Sequence, residues 1–132
     1  MILKDQLKNY LNKNMAFKLG SEKRGIKNSK DTPIFRKKLD KGIVAEANLD
    51  GSIFINKNVK PGSALEKRAI RHEKQHLKDM ADPKIGLSYG DDYVRYKGKT
   101  YPRKDGKIKY NGKFHEEGSM VFPWEQRAKK AE

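Results

Sequence analysis

The sequence predicts an α+β fold: a small antiparallel or mixed sheet of hairpins packed against two or three helices. Three observations lead there. A capped helical stretch follows Ser63, β-prone runs surround several turn dipeptides, and a length of 132 residues suits one domain with one modest core. Residues 1–42 read as an N-terminal helix and basic loop, and residues 43–132 as the core in which any site must lie.

Residues 2–19 place Ile2, Leu3, Leu7, Tyr10, Leu11, Met15 and Leu19 near helical spacing, which predicts an amphipathic helix covering the core. The next stretch, "GSEKRGIKNSKD", is rich in Gly, Ser and Lys and has no period, so it reads as a basic loop. In "GIVAEANLDGSIFINKNV" two β-prone runs flank Asp50-Gly51, a dipeptide that tolerates the positive φ angles of a tight turn. A hairpin follows, with Ile53 and Ile55 on one face and Phe54 on the other.

Lys60-Pro61-Gly62 ends the second run, and Ser63 with Glu66 forms a capping box that satisfies backbone donors at a helix start. Along that helix Leu65, Ala69, His72, His76 and Met80 share one edge, while Lys67, Lys74 and Lys78 point elsewhere. Asp82-Pro83 stops it, because the residue before a proline is pushed out of helical geometry. Beyond Tyr89, Lys97-Gly98 and Asn111-Gly112 sit between runs of Tyr, Val, Ile and Phe and predict two short hairpins. Pro123 then opens a final helix, "PWEQRAKKAE", with its Lys and Arg toward the C-terminal end as the helix dipole favours.

The chain has no cysteine, so disulfides, thiolate metal sites and a cysteine nucleophile are excluded, and a metal must be held by His and carboxylate. "MILKDQLKNYLNKN" lacks the apolar core and cleavage site of a signal peptide, and no apolar run approaches membrane-spanning length. The expectation is a cytoplasmic or virion-associated protein with no membrane insertion. Lys and Arg number 31 against 17 Asp and Glu, a formal net charge of +14, which draws the chain toward nucleic acid, anionic cell-wall polymer or acidic protein surfaces.

His72, Glu73 and His76 spell H-E-x-x-H. Two histidines four apart on a helix lie one turn above each other, so both imidazoles can reach one Zn²⁺ at about 2.0 to 2.1 Å. Glu73 is then placed to take a proton from a metal-activated water and pass it to a leaving amine. The residues between Glu73 and His76 are Lys74 and Gln75, the first of them charged.

The order of hairpin, capped helix with "HEKQH", β-rich insert and later helix with "WEQRA" resembles a minimal gluzincin, a zinc metallopeptidase whose third ligand is a Glu on a later helix. The resemblance covers residues 43 to 132 and implies a metalloprotease-like fold, a Zn²⁺ cofactor, His72, His76 and Glu125 as ligands, and Glu73 as the catalytic acid and base. The chain is also similar to small basic proteins of tailed bacteriophages.

Other third ligands remain open on the sequence: Asp82, six residues after His76, and His115, Glu116 and Glu117 in the later β-region. Asp79 is a candidate to accept the second ring proton of a ligand histidine. Tyr89, Tyr93, Tyr96 and His115 are candidates to stabilise an oxyanion, and the edge of the 43–59 hairpin to bind an extended peptide by strand addition.

Two functions are therefore expected. One is a zinc metallopeptidase acting on a peptide or protein substrate. The other is a catalytically silent, zinc-stabilised structural or virion-associated protein that uses its basic surface on nucleic acid or a viral assembly partner. In the second, Lys and Arg of residues 23–41 and 95–113 contact phosphates and Tyr93, Tyr96, Tyr101 and Tyr110 stack on bases.

Overall fold

Tight turns decide most of the chain path. A computed structural model describes residues 32–132; the helix expected over 2–19 and the basic loop over 20–31 lie outside the described residues. The described residues form two small sheets and two helices, the predicted α+β class.

The first sheet is mixed and contains β1 (Ile34–Lys37), β2 (Ala45–Ala47) and β3 (Ile53–Asn56) in the order β1-β3-β2. β2 and β3 are the predicted hairpin about Asp50-Gly51: they pair antiparallel, with Ala45 opposite Ile55 and Ala47 opposite Ile53. Gly51 has a φ of 91°, and the Asp50 carboxylate accepts from the backbone N–H and the hydroxyl of Ser52, which locks the turn.

β1 falls in the stretch read from sequence as part of a helix and basic loop. Its two apolar residues, Ile34 and Phe35, carry no alternation long enough to signal a strand. Parallel pairing with the distant β3, Ile34 opposite Ile53 and Phe35 opposite Phe54, makes it one.

α1 (Ala64–Ala81) starts where the cap predicts, with the Ser63 hydroxyl accepting from Glu66 N–H at 3.1 Å, and ends at Asp82. The reciprocal bond differs from the capping box: the Glu66 carboxylate takes the Gly62 N–H at 2.7 Å and also pairs with Arg36 of β1 at 2.5 Å. The Arg36 guanidinium thus joins the helix start to the edge of the sheet. Ala69, with the half-buried Leu65, Ile70 and Leu77, packs on Ala45, Ile53 and Ile55 to make the first core cluster.

The second sheet is a five-stranded antiparallel meander: β4 (Ser88–Gly90), β5 (Tyr93–Tyr96), β6 (Lys99–Lys104), β7 (Lys107–Tyr110) and β8 (Lys113–Glu116). The two predicted hairpins are present but not separate. A third turn, Asp105-Gly106, joins them, and all three turns have both central residues at positive φ: Lys97 50° and Gly98 81°, Asp105 51° and Gly106 77°, Asn111 53° and Gly112 85°. This is the turn whose twist matches that of the flanking strands. The Asp-Gly signal was in the sequence, masked by the lysines around it.

One face of the meander carries Tyr89, Val94, Tyr96 and Ile108, packed with Phe122 and Trp124 of the final segment and with the half-buried Tyr101 and Tyr110. α2 (Pro123–Ala131) follows, with Pro123 in its first turn as predicted. Phe122 and Trp124 stack at 4.8 Å between ring centroids, and this anchor lays α2 against α1. Among the described residues no helix is long and apolar enough to cross a membrane.

Candidate metal centre

α1 buries Ala69, His72, Glu73, His76 and Asp79, so the two histidines and the glutamate between them lie in the interior and not among the exposed lysines. Helical geometry sets His72 one turn from His76, with the rings edge to face and their centroids 4.9 Å apart. α2 supplies Glu125 from the facing side. Its position follows from the aromatic anchor: Trp124, wholly buried, fixes the first turn of α2, and the next residue points its carboxylate at α1.

Glu125 reaches both histidines, with Oε1 2.9 Å from His72 Nε2 and Oε2 3.3 Å from His76 Nε2. The three donor atoms lie within 4.8 Å of one another, and His72, His76 and Glu125 are fully buried. This group can hold a metal ion. Two neutral imidazoles and one carboxylate suit a borderline cation such as Zn²⁺.

The charges of the group depend on one another. Burial works to lower the pKa of His72, but hydrogen bonds to Glu125 and Glu132 outweigh it and hold the value at about 10. Burial works to raise that of Glu125, and the His76 charge with the hydrogen bonds from both histidines brings it down to about 2. Each shift thus favours the charged form of its group, an imidazolium at His72 against a carboxylate at Glu125.

Glu73 shares in these charges but not in the hydrogen bonds. It is fully buried, and neither carboxylate oxygen has a hydrogen-bond partner. Burial, the largest cause, pushes its pKa well above the usual carboxylate value; the His72 charge opposes this, and the nearby charges of Glu125, Glu46 and Glu132 add to it.

No family model, curated protein or solved structure matches this chain. The site therefore has to be read from its own geometry.

The structure brings together the three ligands expected from sequence and separates the alternatives from them. Asp82 caps the C-terminal end of α1 and accepts from the Lys84 backbone N–H. Glu117 is buried against Arg103 at 2.7 Å, Glu116 stands 3.9 Å from Lys107 on the surface, and the ring of His115 lies 6.0 Å from Phe122. Asp79, the candidate partner of a ligand histidine, accepts from Arg127 of α2 at 2.9 and 3.0 Å and from Gln75 at 2.9 Å, and so ties the two helices together.

The carboxylate at the second ring nitrogen of His72 is instead Glu132, whose Oε2 lies 2.8 Å from Nδ1. Sequence reasoning missed it, although the signal was present: seven residues separate it from Glu125, two helical turns that keep both on one side. Glu46 of β2 was also missed. It is buried, and its charge bears on Glu73.

Two further expectations change. The edge of the 43–59 hairpin is not open along β2: Ala45, Glu46 and Ala47 are buried, and the Tyr89 hydroxyl donates to the Ala47 carbonyl at 3.1 Å. The strand is covered by α1, with Tyr89 of the meander closing on its end. Of the tyrosines expected to stack on bases, Tyr96, Tyr101 and Tyr110 lie on the inner face, with rings 5.3 to 6.4 Å from Trp124. Their alternation with lysines is the in-out pattern of a half-buried sheet. Tyr93 alone of the four faces away.

Proposed function

We propose that this chain is a zinc-dependent, gluzincin-like hydrolase of peptide (amide) bonds. The observation that carries the reading is Glu73, a buried carboxylate with two unbonded oxygens beside a His-His-Glu group. A carboxylate left unpaired in the interior costs stability, and a metal centre with only a structural role has no use for one.

His72, His76 and Glu125 hold the metal, and Glu132 keeps His72 Nδ1 protonated so that Nε2 is free to bind it. Zn²⁺, when bound, supplies a Lewis acid that polarises water and the scissile carbonyl. Glu73 takes the proton from the attacking water and hands it to the leaving amine. Its raised pKa suits both transfers, because a carboxylate that holds a proton more strongly is a better base and can still return it.

A second reading, a catalytically silent protein stabilised by the same metal, is favoured by one observation: His72, Glu73, His76 and Glu125 have no solvent exposure. Glu73→Gln separates the two. Under the hydrolase reading the variant keeps about one zinc per chain and loses turnover of a fluorogenic peptide mixture by about 10²-fold or more. Unchanged turnover, or none in the zinc-loaded wild type, leaves the structural reading. His76→Ala and Glu125→Ala are expected to lose the metal under both.

A further inference from the structure

The meander has one buried face and one open face, and strand register says which residues occupy the open one. Residues directly opposite each other in an antiparallel pair share a face, and alternate residues along a strand return to it. Tyr93 is opposite Pro102 and Arg95 opposite Thr100; Lys104 is opposite Lys107, and Lys109 opposite Phe114. All of these are exposed except the half-buried Tyr93. Four cations thus stand on one sheet surface; of its strand residues Glu116 is the carboxylate, and it pairs with Lys107 at 3.9 Å, while Asp92 lies at the end of the sheet beside Tyr93.

Two aromatic rings share the surface with the cations. Phe114 is 46% exposed, a large apolar group that folding leaves in water. Tyr93 lies over Gly90: a Cβ built on Gly90 would meet the ring at 2.3 Å, so glycine is what lets the ring lie down on the sheet. Beside Tyr93 is a depression of about 410 Å³, lined by Asp92, Arg95, Thr100 and Pro102.

We propose that this outer face binds single-stranded nucleic acid, a function separate from the metal centre. Arg95, Lys104, Lys107 and Lys109 meet phosphates, and Tyr93 and Phe114 stack on bases. Cations along a backbone track with rings for successive bases are what single-strand binding requires, and stacking accepts any base. The open face of a five-stranded sheet is too broad to enter a duplex groove, which admits a helix or a two-stranded ribbon, so single strands are favoured over duplex. The rings distinguish this surface from a merely solvated basic face, which has no use for an exposed phenylalanine.

The test is fluorescence anisotropy of the full chain with a fluorescein-labelled 20-nucleotide oligothymidine. The logarithm of affinity is expected to fall against that of salt with a slope of about −2 to −3, from about 0.7 per neutralised phosphate and up to four contacts. Lys107→Glu with Lys109→Glu is expected to weaken binding by about tenfold or more. The same charge change at Lys57 and Lys60, exposed residues between β3 and α1, is expected to change it by less than about threefold. Phe114→Ala and Tyr93→Ala are each expected to weaken it by about fivefold or more.

Equal losses from the two charge-reversed pairs would overturn the proposal, because the net charge alone would then account for binding. So would equal affinity for a duplex of the same length, or ring variants that bind like the wild type. Zinc content and peptide hydrolysis are measured on the same variants. Their persistence separates failure here from failure of the hydrolase reading.

Discussion

Glu132 places a carboxylate oxygen 2.8 Å from His72 Nδ1, while Glu125 occupies the other ring nitrogen at 2.9 Å. One imidazole is thus held from both sides by carboxylates from α2 and the residue that caps it. Removing the outer one leaves His72, His76 and Glu125 in place but lets the ring turn and lowers its basicity. Glu132→Gln is expected to lower zinc affinity by about 10- to 100-fold in competition with a chromogenic chelator. An affinity within about twofold of wild type would mean that packing alone orients the ring.

Folding shifts Glu73 the opposite way from Glu125, the other carboxylate of the group. The Glu73 pKa is raised by folding, so the folded state binds its proton more strongly than the unfolded state, and stability falls as pH rises above the ordinary carboxylate value. Glu73→Gln is therefore expected to raise the urea midpoint of the metal-free protein at pH 8 by more than at pH 4. Equal shifts at both pH values would show that the carboxylate is stabilised by a contact and not exposed to the cost of burial.

The His72–Glu125 pair sets a second pH dependence. The His72 pKa is raised, so its contribution is complete below about 6.5 and is lost as pH climbs through about 10; that of Glu125 is lowered, so its contribution is complete above about 4.5 and is lost as pH falls toward about 2. With the metal removed by chelator, His72→Gln is expected to flatten the decline in melting temperature between pH 7 and pH 10. Zinc affinity of the wild type is expected to rise over the same interval, since the ligand imidazole must first give up its proton.

Gly106 tests the turn chemistry that makes the meander continuous. Its φ is 77°, and a Cβ there meets nothing within 4 Å, so alanine adds backbone strain without a clash. Gly106→Ala is expected to cost about 1 to 2 kcal/mol in urea unfolding. A smaller loss would mean that the connection between β6 and β7 relaxes to another turn.

Local signals explain what was legible in the chain. The hairpin at Asp50-Gly51, the Ser63 cap, the Asp82-Pro83 stop and the Pro123 start each depend on a few adjacent residues whose backbone preferences act over one turn. The i, i+4 spacing of His72 and His76 likewise needs only a helix. Glu125 was reached by resemblance, and its approach to α1 depends on Trp124 and Phe122 packing under the meander, which no local rule contains.

Partnerships between distant segments were the part that sequence could not settle. β1 is a strand only because β3 lies beside it, and Asp79 turned from a possible histidine partner into a partner of Arg127 once α2 docked. The tyrosines of the meander look alike in the sequence, yet register sends Tyr96, Tyr101 and Tyr110 inward and Tyr93 outward. Helix, turn and cap identities were decided by the sequence itself, since their energies come from neighbours in the chain. Which carboxylate meets which histidine, and which face of the sheet stays open, was decided only by tertiary packing, because each depends on contacts made across tens of residues after the elements have formed.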